Sequence, residues 1–153
     1  MTRYFDASAL VKRYVRESGT TTVQRLLASG MAATSRLSEV EVSSGIVRRA
    51  REGAFTIEQR DRMLAALLRD VPALAMVEMI PQITENARTL LLRHPLRASD
   101  AIQLASCLYI QRQLAERVPL VAYDGRLVQA ARAEGVIVIT SRRRRLAVAK
   151  RAK

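Results

Sequence analysis

Short apolar runs of β-favouring residues alternate along the chain with longer segments whose apolar positions recur at helical spacing, and this alternation confines it to a layered α/β architecture. The run Val136-Ile137-Val138-Ile139 carries the point best, because it is apolar and β-branched throughout. A strand with one wet face would alternate with polar residues, whereas a strand of a parallel sheet is covered on both faces and need not. Further strands are expected at residues 3–5, 31–35, 75–79 and 119–123, and helices at 9–15, 21–28, 37–51, 56–70, 83–92, 98–116 and 127–133. Thr56 with Gln59 has the spacing of a capping box, and Gly53 and Gly135 are placed to end helices. On the helix at 37–51, Leu37, Val40 and Val47 are read as one apolar face. Right-handed crossovers put helices on both faces of such a sheet, so the expected fold is an αβα sandwich with a mainly parallel centre.

The chain has 153 residues, of which 49% are hydrophobic, enough for one core and little more. We expect a single domain over residues 1–140, followed by a basic tail over 141–153 that holds Arg142, Arg143, Arg144 and Arg145. Lys and Arg number 26 against 14 Asp and Glu, a net charge of +12 that attracts polyanions. A nucleic acid is the first partner to consider, although charge alone equally describes a basic surface with no such role. The lone Cys107 excludes an intramolecular disulfide, and no His/Cys group has zinc-finger spacing. The N-terminus has no apolar leader, and no apolar run reaches the ~20 residues that a membrane span needs, so a cytoplasmic protein without a membrane partner is expected.

Asp6 and Asp124 each follow an apolar strand directly, and in an open parallel sheet that is the edge where ligands bind. Asp100 opens a helix whose apolar face includes Ala101, Leu104 and Ala105, which sets its carboxylate beside buried surface. Each of these acids singly has the position of a helix N-cap. A gathering of them has another meaning: two carboxylates about 4 Å apart repel by about 4 kcal/mol at an effective dielectric of about 20, so a cluster needs a cation, a proton or an arginine. Oxygen ligands without His or Cys suit Mg²⁺ or Mn²⁺, ions that activate water against a phosphodiester. The arginines would then hold the phosphates that the acids and metal attack.

Four segments taken in order carry a family likeness: Tyr4-Phe5-Asp6-Ala7-Ser8-Ala9-Leu10-Val11-Lys12, then Ser35-Arg36-Leu37 through Val40-Glu41-Val42, then Leu96-Arg97-Ala98-Ser99-Asp100-Ala101-Ile102-Gln103-Leu104-Ala105, then Val121-Ala122-Tyr123-Asp124-Gly125-Arg126-Leu127. Up to about Thr140 the chain resembles the PIN domain, and within it the VapC-type toxins of bacterial toxin–antitoxin pairs. The resemblance implies a PIN-like fold and a Mg²⁺- or Mn²⁺-dependent endoribonuclease with Asp6, Glu41, Asp100 and Asp124 as its acidic quartet and Ser8 beside the first acid. It also implies transfer or ribosomal RNA as substrate, a homodimer, and a VapB-like antitoxin laid across the helical hairpin and the acidic cleft. Glu39 competes with Glu41, but positions two apart on a helix differ by about 200°, so only one can face a cleft, and the motif selects Glu41. Ala122 stands where the family often has Ser or Thr, which predicts weaker support for Asp124. A stand-alone PIN nuclease of RNA processing would share this pattern, and a non-catalytic nucleic-acid-binding module would use the arginines alone.

The remaining candidates read more plainly. His94, before Pro95, has no acid close in sequence to orient it and reads as a loop residue, Cys107 as core filler, and Met63 with Leu64 as core or partner surface. Tyr14 and Tyr123 flank the proposed site in sequence and fit a core or a base-stacking role equally. With 4% aromatics, recognition of RNA would lean on phosphates and shape.

Overall fold

The computed structural model describes residues 1–140. The strands are β1 (Thr2–Phe5), β2 (Met31–Ser35), β3 (Ala75–Val77), β4 (Leu120–Val121) and β5 (Val138–Ile139). The helices are α1 (Ala7–Leu10), extended by a 3₁₀ turn at Val11–Arg13, then α2 (Thr20–Ala28), α3 (Leu37–Arg51), α4 (Ile57–Asp70), α5 (Pro81–Arg93), α6 (Ala98–Leu114) and α7 (Gly125–Ala133). The five strands form one sheet in the order β3-β2-β1-β4-β5, and every pairing is parallel. The expected sandwich is therefore present, with a wholly parallel centre. The basic tail expected at 141–153 lies outside the described residues.

Alternation along the strands divides the core in two. Tyr4, Ala33 and Leu120 pack with α5, α6 and α7 through Leu90, Leu104 and Leu127. Their neighbours Phe5, Ala32 and Val121 pack on the opposite face with α1 to α4 through Leu10, Val42, Ile46 and Leu67. Both faces of the central strands are thus covered, so successive residues of β4, Leu120 and Val121, are both apolar and both buried. The capping box forms as the spacing requires: Gln59 N–H donates to Thr56 Oγ1 (3.1 Å) and Thr56 N–H to Gln59 Oε1 (2.8 Å). Gly53 and Gly135, at φ 82° and 77°, take the left-handed turns just past α3 and α7.

The apolar face of α3 differs from the sequence reading. Val40 is 67% exposed, and the positions turned inward are Ser38, Val42 and Ile46. Ser38 can be buried because it has polar partners across the fold, so a hydrophobicity pattern misses the true face. No helix of the described residues is long and apolar enough to cross a membrane.

Candidate functional site

The strand order changes direction between β1 and β4, since the chain leaves β1 for one face of the sheet and β4 for the other. A crevice opens at that point, beyond the carboxyl ends of the strands. Asp6 leaves β1 and caps α1, accepting from Ala9 N–H (3.0 Å). Ser8 Oγ donates to the Asp6 carboxylate, 2.8 Å from Oδ1 and 2.9 Å from Oδ2, while accepting from Tyr123 N–H (2.9 Å). Ser8 therefore ties the end of β1 to the end of β4. Asp124 caps α7, with Oδ1 accepting from Arg126 N–H (3.0 Å) and Leu127 N–H (3.1 Å). Asp100, in the first turn of α6, accepts from Arg97 N–H through Oδ2 (3.1 Å). Glu41 comes from α3, and its Oε2 accepts from Gln103 Nε2 (2.7 Å).

All four acids and Ser8 line one cleft of about 290 Å³. Glu39 does not line it; its carboxylate is paired with Arg36. Each Asp thus satisfies backbone N–H at a helix start, as the sequence alone allowed, and each also faces the cleft. Capping occupies one oxygen of Asp100 and one of Asp124; their other oxygens, and Glu41 Oε1, accept no hydrogen bond among the described residues.

The acids of the cleft form no ion pair among the described residues, although Arg97 and Arg126 lie near enough to Asp100 to favour its charged form. Among the described residues Glu17, Glu39, Asp61, Asp70, Glu78 and Glu134 are ion-paired, and Asp6, Glu41, Asp100 and Asp124 are not. The other unpaired acids, Glu52, Glu58, Glu85 and Glu116, are all exposed, whereas the cleft acids are buried or half-buried. Buried carboxylates without a cation are costly and respond by holding protons. Asp6, 4% exposed, is pushed up to about 7, mainly by burial, with its hydrogen bonds from Ser8 and Ala9 opposing and Glu41 adding repulsion. Asp100 is raised by burial, opposed by its Arg97 N–H bond and reinforced by Asp124. Among the described residues no three His, Cys, Asp or Glu side chains stand close enough to enclose an ion between them. The acids of the cleft nonetheless offer carboxylate oxygens with uncommitted lone pairs, no His or Cys lines the cleft, and none of its arginines forms an ion pair with these acids among the described residues, a donor set that fits a hard divalent ion.

One face of α3 supplies a wall of the cleft through Glu41, Gly45, Arg48 and Arg49, spaced at helical intervals. Arg97 stands on the α6 side. Arg49 is held by Glu17, which also pairs with Lys12 (2.6 Å), so it is braced against the body. Arg48 and Arg97 have no ion-pair partner among the described residues and remain free for an anion. A Cβ on Gly45 would meet only Val11 Cγ2, at 3.9 Å. Gly45→Ala should therefore gain helix propensity without a clash and raise Tm by about 2–4 °C. A calorimetric scan checks this, and a fall would mean that the space below Glu41 is not open.

Tyr123 does not stand free to stack on a base. Lys12 Nζ lies 4.4 Å from its ring centroid, and Gly19, at φ 94°, brings the backbone so near that a Cβ there would sit 3.0 Å from the ring. Tyr14 is turned to another groove, where it donates to Asp70 (3.2 Å). His94 does have an acidic partner: its Nε2 is 2.6 Å from Glu134 Oε1, and Arg93 shares that carboxylate. The acid is distant in sequence, and the contact ties the end of α5 to the end of α7, remote from the cleft. Cys107 is buried with its thiol pushed up to about 12 by burial, an inert core residue. Ala122 is fully buried, and Asp124 draws its support from backbone N–H groups. The residue that sequence reasoning left without a role is Gln103, whose partners Tyr4, Ser38 and Glu41 come from other elements. Its one local signal is an amide in an otherwise apolar helical turn, beside Ala101, Leu104 and Ala105.

The PIN domain family model matches residues 3–133. Ribonuclease VapC45 of Mycobacterium tuberculosis is 35% identical over 112 residues, covering 70% of this chain and 75% of the relative. Among solved structures, VapBC2 from Rickettsia felis bound to a promoter DNA fragment superposes with a TM-score of 0.64 at 14% identity, covering 92% of this chain and 99% of that one. VapC20 of Mycobacterium tuberculosis, described as a toxin that cleaves the sarcin-ricin loop, superposes with a TM-score of 0.62 at 20% identity, over 85% of this chain and 95% of that one. These structural likenesses bear on the fold.

Proposed function

The chain belongs to the PIN-domain family, in its VapC-type branch, and from that premise we propose that it is a Mg²⁺- or Mn²⁺-dependent endoribonuclease, the toxin of a type II toxin–antitoxin pair. The observation that carries this reading is the set of unpaired carboxylates in one buried cleft of a chain with net charge +12. If the three Asp were only helix caps, nothing would require them to share a cleft with Glu41, none of the four in an ion pair among the described residues. Transfer or ribosomal RNA is the substrate class we assign, in keeping with a structural neighbour described as a toxin that cleaves the sarcin-ricin loop. A VapB-like antitoxin is the assigned partner, in keeping with the complexes among the structural neighbours, and a homodimer the assigned assembly.

Asp6, Glu41, Asp100 and Asp124 would hold the metal, which when bound supplies an activated water and charge neutralisation at the phosphodiester. The protein's own residues set the stage. Ser8 keeps Asp6 turned into the cleft and pins the two strand ends together, so that the acids of β1 and β4 cannot drift apart. Arg48 and Arg97, one on each wall, grip phosphates flanking the scissile bond and fix the strand's register. Gly45 leaves room for the backbone between them.

The direct test is incubation of the purified protein with RNA in Mn²⁺ or in EDTA; cleavage confined to the metal supports the reading, and equal cleavage in EDTA or none in either refutes it. Arg48→Ala and Arg97→Ala should each weaken binding and reduce the slope of log affinity against log salt by about 0.7 for single-stranded RNA. Unchanged slopes in a salt titration would remove these arginines from the phosphate contacts.

A further inference from the structure

Gln103 is 2% exposed, one turn beyond Asp100 on α6, and the amide is fully engaged. Its Oε1 accepts from Tyr4 Oη (2.7 Å), and its Nε2 donates to Ser38 Oγ (2.9 Å) and to Glu41 Oε2 (2.7 Å). Which end of the amide faces Glu41 is dictated from a distance. Thr34 Oγ1 lies 2.6 Å from the Phe5 carbonyl, which can only accept, so the Thr34 proton goes there. Ser38 Oγ, 2.7 Å from Thr34 Oγ1, must then donate to Thr34 and accept from Gln103. That places the Gln103 NH₂ group on the side of Ser38 and Glu41. The opposite end of the amide agrees: with NH₂ turned to Ser38 and Glu41, Oε1 faces the buried Tyr4 hydroxyl, which donates to it.

We propose that Gln103 is the positioning residue of Glu41, its amide locked by the Phe5–Thr34–Ser38 chain on one side and by Tyr4 on the other, so that Glu41 Oε2 is occupied and Oε1 is presented to a divalent cation. This rests on the reading of the cleft as a metal-dependent nuclease site. Glutamate has three side-chain torsions, and an unheld Glu41 on the cleft wall would spend most of its time in rotamers that miss the other acids. A donor fixed in the core removes that freedom before the cation arrives, as outer-shell partners of metal ligands do.

The experiment measures Mn²⁺ affinity by calorimetry and steady-state RNA cleavage on the full chain. Gln103→Met keeps the volume and removes the donor. It is expected to weaken Mn²⁺ binding by about tenfold or more and to lower kcat, with KM for RNA within about twofold of wild type. Glu41→Gln should also weaken Mn²⁺ binding, and adding Gln103→Met to it should cost less than about twofold more, because the amide acts through a carboxylate that is no longer there. Tyr4→Phe, which deletes a single oxygen, should show a smaller loss of Mn²⁺ affinity in the same direction and carries the test if Gln103→Met fails to fold. Wild-type Mn²⁺ affinity in Gln103→Met and Tyr4→Phe, or an equal loss from Gln103→Met in both backgrounds, overturns the positioning role and leaves the nuclease reading standing. Absence of Mn²⁺ binding by the wild type, or wild-type affinity in Glu41→Gln, overturns the site reading and the positioning role with it.

Discussion

Asp100→Ala is expected to lower metal-dependent RNA cleavage by at least about a hundredfold while leaving RNA affinity within about twofold. The separation follows from the division of labour in the cleft, where carboxylates face the reacting phosphodiester and Arg48 and Arg97 stand on the walls. Among the described residues Asp100 makes a single hydrogen bond, from Arg97 N–H at 3.1 Å, and its other oxygen accepts none. Deleting it therefore removes one cap contact of α6, worth about 1 kcal/mol, but also relieves a carboxylate whose ionisation is opposed by burial and by Asp124. The two effects oppose each other, so the fold should survive and any loss of cleavage belongs to the site. Gel-based cleavage and filter binding on one RNA, at one salt concentration, measure both quantities. Retention of cleavage in Mg²⁺ would take Asp100 out of the site. Parallel loss of binding and cleavage would instead make it a support for the RNA surface.

Much of the fold was legible because its determinants are local. The run around Leu120 announces a strand covered on both faces, the run at Val138 forms a half-buried edge strand with Ile137 exposed, and Asp6 and Asp124 announce the sheet edge because each follows a strand. A parallel sheet then brings residues far apart in sequence to the same edge without further information. What escaped the sequence depends on polar groups satisfied across the fold. Ser38 is buried and Val40 exposed, against the apolar pattern of α3, because Ser38 bridges Thr34 and Gln103. Gln103 lies 62 residues from Glu41 and 99 from Tyr4, and His94 lies 40 from Glu134, so no short window along the chain contains any of these three pairs. The same blindness applies to the sharing of one cleft: from sequence each Asp, taken singly, has the position of a helix cap, and the structure shows Asp6, Asp100 and Asp124 capping helices while lining one cleft.

The electrostatics of Asp6 make a second large effect measurable without any substrate. Its carboxyl is raised from 3.8 to about 7 in the folded chain, so the fold favours the protonated form. Stability from this group is fully present below pH 3.8 and is lost as pH rises through about 7. Above that pH the metal-free protein bears a cost on the order of 4 kcal/mol, because each tenfold change in proton affinity between the folded and unfolded chain is worth about 1.4 kcal/mol. Asp6→Asn removes the charge at every pH and weakens the hydrogen bonds from Ser8 and Ala9, a loss of about 2 kcal/mol. The net gain of about 2 kcal/mol at pH 8 in EDTA should raise Tm by about 4–8 °C in a chain of this size. At pH 5 the wild-type carboxyl keeps its proton, and the advantage should shrink or reverse. Mn²⁺ at pH 8 should stabilise wild type more than Asp6→Asn, since a ligand of the folded state adds RT ln(1 + [L]/Kd), and so should narrow or invert the order of the two melting curves. The helix-cap alternative shares the pH dependence, which comes mainly from burial, but forecasts no difference in the response to metal, because Asn caps as well as Asp. Four pairs of scans, at pH 5 and 8, each in EDTA and in Mn²⁺, decide the matter. An identical response of the two proteins to Mn²⁺ would leave Asp6 as a buried cap and take it out of the metal site.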